Sequence, residues 1–228
     1  ERSPLGVNCI QYMPTASLMT YVMGLEKAKA GEPASAAEKA EMKRILAEGM
    51  DAGLCGFSIQ RLGEHSTQAD YDGSPMVTDT MCDDDILCLA EVLAERDEGF
   101  IQITQATGDI KADLAFLEKL AAVAKRPILH NAIIAARKDP EVHRRSIRWI
   151  EKCWSQGLPI YGQTATLRAG TAFTLEHWNL YDASPAWRAI TTGTKEERMA
   201  KMRDPELRRA VIDEAEAAAT LEALRELG

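Results

Sequence analysis

The sequence predicts an α/β fold built on a parallel sheet, and three observations lead there. Short apolar runs alternate with amphipathic helical stretches. The runs are almost continuously hydrophobic, as strands buried in a parallel sheet with helices on both faces are. Their starts, near residues 54, 99, 127 and 158, are mostly about 30 residues apart, the length of one strand-loop-helix unit.

The elements follow in order. Val7 to Tyr12 reads as a short extended segment ending at Pro14, and Ala16 to Met23 as a brief helix stopped by Gly24. Ser35 with Glu38 three residues on is a capping box, and the Ala-, Glu-, Lys- and Met-rich run to Asp51 is a helix ending before Gly53. Leu54 to Gln60 is the next strand. Asp83, Asp84 and Asp85 stand at the positive end of a helix whose apolar residues are Ile86, Leu87, Leu89, Ala90, Leu93 and Ala94, with Gly99 as its stop. Phe100 to Thr104 is a strand, Lys111 to Ala124 a helix, Pro127 to Ala132 a strand, Pro140 to Ser155 a helix and Leu158 to Gln163 a strand. Four such units are half of an eight-unit barrel or the whole of a small open sheet. Beyond Gly170 the alternation ends. Residues 171–228 then read as a peripheral aromatic loop and a terminal helical extension, with Glu206 to Leu227 as its long helix.

Composition narrows the function. A net charge of -8 excludes a general nucleic-acid binder, since phosphate neutralisation needs clustered Lys and Arg. Arg144, Arg145 and Arg148, the densest basic group, read as a solvated helix face. Five cysteines without paired short spacings predict a reducing cytoplasm. No long apolar run or basic-then-apolar leader predicts a membrane partner. Glu1 in place of an initiator Met predicts a processed, cropped or fragmentary chain.

In a parallel architecture, ligands collect at the C-terminal strand ends. The polar residues there are Ser58, Gln60, Arg61 and His65; Gln102, Thr104 and Gln105; His130 and Asn131; and Gln163, Thr164 and Arg168. His130, among apolar neighbours, is either a core histidine or a ligand and acid/base group, and His65 either a site residue or a solvated one. His143 and His177 read as structural. No metal-binding histidine motif, nucleophile elbow or phosphate-cradling glycine fingerprint is present.

Serial features extend the reading. Glu41 to Ser58 joins a Glu-Met-Lys-Arg-Ile-Leu-Ala-Glu-Gly-Met helix to a Gly-Phe-Ser strand, and Arg61, His65 and Asp72-Gly73-Ser74-Pro75-Met76-Val77 follow. Further on come Asp83-Asp84-Asp85, Gly99-Phe100-Ile101-Gln102, Arg126-Pro127-Ile128, Pro185-Ala186-Trp187-Arg188 and Arg203-Asp204-Pro205-Glu206-Leu207-Arg208. Together they resemble the N-acyl-D-amino-acid deacylase branch of the amidohydrolase superfamily. The resemblance implies a partial (β/α)8 TIM-type barrel, roughly strands four to seven, of a hydrolase acting on C–N (amide) bonds of N-acylated amino acids or related compounds. It implies zinc as cofactor, a small-molecule substrate, and a homo-oligomer or the remainder of the barrel as partner. It makes His65 and His130 the catalytic candidates, with His130 a candidate metal ligand. Arg61 would hold the substrate carboxylate, and Gln102, Gln105, Asn131 and Gln163 would orient the substrate.

The chain departs from the family where two middle strands each end in a metal-binding His. Thr104 or Gln105 takes the first place, and His130 falls two residues early for the second, a slip that preserves the side-chain face and leaves His130 toward the barrel mouth. Either the metal arrangement differs or the chain binds without the usual metal. The alternative reading is a truncated or degenerate, non-catalytic barrel segment that binds a small molecule or a complementary chain.

Overall fold

The structure, a computed structural model, describes residues 9–64, 66, 68, 70, 74–135, 139–164, 174–176 and 184–227, with side chains to residue 217. The chain divides into two compact units, Glu1–Glu64 with Val77–Ala169, and His65–Met76 with Gly170–Gly228.

The first unit is an α/β layer on a parallel sheet. Its strands are β1 (Gln11–Pro14), β2 (Leu54–Arg61), β3 (Phe100–Gln105), β4 (Ile128–Asn131) and β5 (Ile160–Gln163), hydrogen-bonded in the order β1-β2-β3-β4-β5. Every pairing is parallel. The sheet therefore has five strands where the spacing of units predicts four, because the extended segment before Pro14 pairs with β2.

The connecting helices are α1 (Thr15–Met23), α2 (Leu25–Lys29), α3 (Ala36–Asp51), α4 (Asp83–Arg96), α5 (Ile110–Ala124) and α6 (Val142–Ser155). Parallel crossovers are right-handed, so strands laid down in sequential order put their helices on the same face. Burial agrees. Phe57, Ile101, Ile128 and Ile160 are register neighbours on successive strands, and all four are fully buried. Met42 and Leu46 of α3, Ile86, Leu89 and Leu93 of α4, and Leu117 and Leu120 of α5 join them in one core. On the opposite face Gln102, Leu129 and Asn131 are half-buried, and Tyr161 and Gln163 are exposed. The expectation of helices on both faces is thus corrected: one face is covered, and the other is bare among the described residues.

Local chemistry explains the helix ends. The Ser35 hydroxyl accepts from the Glu38 N–H while the Glu38 carboxylate accepts from the Ser35 N–H, completing the capping box. Lys27 and Ser35 together hold the Glu38 carboxyl down at about 2. α4 ends at Arg96, short of Gly99, because Asp97 takes the left-handed conformation that ends the helix.

Gly56 is a position only glycine can fill. The β1 pairing passes from Gln11↔Leu54 to Met13↔Phe57, one residue extra on β2, and Gly56 absorbs it at φ +120°. A Cβ there would lie 2.0 Å from the Phe100 carbonyl oxygen. Tyr12 and Phe100 form an edge-to-face pair beside it, with centroids 5.3 Å apart.

The second unit contains α7 (Pro185–Thr191), α8 (Lys195–Arg203) and α9 (Pro205–Leu227). Thr194 and Glu197 form a capping box on α8, and Glu214 of α9 accepts from the Ala186 N–H at the start of α7. Ile190 is buried in it.

Truncating the central core residue, Ile101→Ala, is expected to lower unfolding stability by about 3 kcal/mol, read as a fall in urea midpoint at unchanged m-value. Gly56→Ala is expected to cost about 3 kcal/mol in the same measurement, through backbone strain and the clash with Phe100.

Candidate functional site

Register divides the C-terminal strand ends between two faces. Arg61 is opposite Gln105, and Ile59, Ile103 and His130 are aligned below them, all on the helix-covered side. Gln60, Thr104, Asn131 and Gln163 form the adjacent row on the bare side, with Ser58, Gln102, Leu129 and Tyr161 behind it. The candidates expected at one mouth are therefore not brought together. Gln102, Asn131 and Gln163 share a face; Arg61, Gln105 and His130 share the other.

On the helix side Arg61 and Gln105 each tie a helix to the sheet, while Arg61 Nε and Gln105 Oε1 are buried without a hydrogen-bond partner among the described residues. Arg61 Nη1 donates to Asp83 Oδ1 at 2.6 Å, and its guanidinium carbon lies 5.1 Å from the centre of the Phe116 ring. Asp83 is the first residue of α4 and Phe116 lies on α5, so Arg61 clamps two helices rather than presenting a free cation. Gln105, 6% exposed, donates from Nε2 to Asp113 Oδ1 at 2.7 Å. Asp113 also accepts from the Thr107 N–H at 2.9 Å and the Thr107 hydroxyl at 2.8 Å, fixing the loop between β3 and α5.

His130 packs edge-to-face on Trp149 of α6, with ring centroids 5.9 Å apart. Trp149 Nε1 donates to Glu118 of α5 at 2.8 Å. The expectation that His130 faces the mouth is corrected here: as the register neighbour of Ile103 it points into the helix layer. Burial pushes its imidazole below the ordinary value, and the Asp113 carboxylate opposes that shift. Its Nδ1 is buried without a partner among the described residues.

On the bare side the row is amides and hydroxyls. Asn131 Nδ2 donates to Thr104 Oγ1 at 3.1 Å across β3 and β4. The Gln60 carbonyl accepts from Thr78 Oγ1 at 2.6 Å, and Asp79, 2% exposed, accepts from the Leu62 N–H at 2.8 Å, which ties the loop after β2 to the strand end. His65, Arg168 and His177, together with Asp72 and Gly73, lie outside the described residues.

Three buried carboxylates were not among the sequence candidates: Asp79, Asp85 and Asp113. Asp85, fully buried, accepts from the Ala34 N–H at 3.1 Å and pairs with Lys39 Nζ at 3.1 Å, which raises the lysine pKa. Each is an acceptor for backbone or side-chain donors brought by another segment. Only the position of Asp85 in a helix N-terminal acid run carried a signal in the sequence.

A zinc site needs three or four nitrogen, oxygen or sulfur ligands around one point. Among the described residues no group of three or more His, Cys, Asp or Glu side chains is so arranged. His130 is turned into the helix layer, and both Asp113 oxygens already accept hydrogen bonds. These residues do not fit the zinc ion that the resemblance implies. Nor is any described helix long and apolar enough to cross a membrane.

The fold and site define the class as an α/β protein with a sequentially ordered parallel sheet and a polar row on its bare face. Comparison with protein-family models, curated proteins and solved structures returned no match.

His130 gives the first unit a pH dependence. Its folded pKa is depressed, so the unfolded chain takes up the proton first as pH falls. Stability is full above the unfolded value of about 6.5 and is lost as pH drops below it toward the folded value. Urea midpoints measured from pH 7.5 to 5 are expected to fall over that window, and His130→Leu to flatten this part of the slope. An unchanged slope in the variant would assign the titration elsewhere.

Proposed function

We propose that this chain supplies the substrate-orienting wall of a hydrolase barrel acting on C–N (amide) bonds of N-acylated amino acids or related compounds. The observation that carries the reading is the row Gln60, Thr104, Asn131 and Gln163 on adjacent strands of the bare face. Neighbouring strands are about 4.8 Å apart, so the row offers alternating donors and acceptors at that spacing. Carboxamide side chains match an amide substrate because each can give an N–H and receive one.

The architecture supports a barrel origin. Sequential parallel strands with helices on one face are the arrangement of a (β/α)8 barrel, whose bare inner wall meets substrate at the C-terminal strand ends. In this reading the amide row binds and orients the substrate, and the Arg61 and Asp113 clamps hold the strand ends and their loops in place. His65, an expected catalytic candidate, lies outside the described residues and is assigned no step. No step is assigned to zinc, which the described residues do not fit.

A second reading is a non-catalytic segment that binds its ligand without turning it over. The observation favouring it is that Arg61 and His130, the expected charged and acid/base groups, are both engaged in helix packing.

Release of amine from N-acetyl amino acids of both hands, with ligand binding followed by NMR, separates the two. The proposed function expects turnover and a loss of about tenfold in kcat/KM for Asn131→Ala or Gln163→Ala, the effect of one hydrogen bond worth about 1.4 kcal/mol. Saturable binding without turnover supports the second reading. Absence of binding overturns both.

A further inference from the structure

Among the described residues, the strand side chains of the bare face carry no formal charge. From β1 to β5 they include Tyr12, Pro14, Ser58, Gln60, Phe100, Gln102, Thr104, Leu129, Asn131, Tyr161 and Gln163, all of neutral type. Tyr12 is kept neutral further into alkali, since burial raises its phenol pKa. The cation expected to hold a substrate carboxylate, Arg61, is on the other face and already paired with Asp83. A carboxylate brought to this wall would lose hydration and meet no countercharge from the strands, a cost that an uncharged group of the same shape avoids.

One hydrogen bond gives the wall a direction. Asn131 commits an N–H to Thr104 Oγ1, which leaves its Oδ1 as an acceptor. Thr104 Oγ1, having accepted, retains its own hydrogen to donate. These two groups sit on neighbouring strands in register, so a donor and an acceptor lie side by side at the strand ends. A carboxamide is the complement, since its carbonyl accepts where Thr104 donates and its N–H donates where Asn131 accepts. A carboxylate has two acceptors and no donor, so it would oppose the Asn131 oxygen.

We propose that Thr104 and Asn131 form a carboxamide subsite, in which Thr104 Oγ1–H donates to a ligand carbonyl and Asn131 Oδ1 accepts from the adjoining ligand N–H. The preferred substrate therefore ends in an uncharged amide where the resemblance implies a free carboxylate. This rests on the substrate-orienting role of the amide row and names the chemistry it selects.

The test titrates the full chain with N-acetylleucinamide and with N-acetylleucine, both hands of each, by calorimetry and NMR. The amide is expected to bind at least tenfold more tightly, with little dependence on salt. Thr104→Val, close in shape, is expected to weaken the amide about tenfold and to leave the acid unchanged. Asn131→Asp keeps an acceptor and adds a negative charge, and is expected to widen the selectivity for the amide by weakening the acid further. Circular dichroism and urea midpoints establish that each variant is folded. Equal or tighter binding of the acid, or unchanged amide binding in folded Thr104→Val, overturns the subsite while leaving the amide row as the binding wall. Failure of both compounds to bind overturns the wall itself.

Discussion

Sequential parallel pairing is the constraint on which the rest of this structure depends. Each strand adds beside the one before it, and right-handed crossovers then leave each helix on the same side. The core is consequently a single layer between sheet and helices, with the Phe57, Ile101, Ile128 and Ile160 row as its floor. Because strand side chains alternate, the same register that buries this row sends its sequence neighbours to the bare face. Apolar positions on the covered side and amides on the other are two results of one geometry.

The covered side contains polar groups that hold separate segments together. Arg61 joins the end of β2 to α4 and α5, Asp113 joins β3 to its following loop, and Asp85 joins the start of α3 to α4. A buried carboxylate costs several kcal/mol unless it is compensated; here three donors converge on Asp113, and Asp85 has the Ala34 N–H and the Lys39 ammonium. Their chemistry is stabilising and local. It also fixes the loop that follows β3, although no clamp residue faces the amide row.

Much of the secondary structure was legible in the sequence because it is encoded locally. The Ser35 and Glu38 capping box, the acid run opening α4 and the apolar strands β2 to β5 each carry their signal within a few residues. The pairing of β1 was less legible, since a four-residue strand ending in Pro14 has little pattern of its own. Of the strand-end polar residues, Gln102, Asn131 and Gln163 share one face of the sheet. What failed was the assumption that neighbours at strand ends face the same way. Arg61 follows Gln60, and His130 precedes Asn131, yet each pair is split by the sheet.

By itself the sequence determined which segments are strands and helices, that they alternate, and that amides and hydroxyls gather at the strand ends. Only the tertiary structure decided which face each side chain occupies, because face depends on register across strands about 30 residues apart in the chain. It also decided that Arg61 is neutralised by Asp83 and that His130 packs on Trp149, contacts in which a strand residue meets the helix that follows it across an intervening loop. Hydrophobic pattern is a local property, whereas charge compensation and facing are properties of the assembled sheet. That distinction moved the charged candidates into the helix layer and left the uncharged amides at the surface where a ligand can meet them.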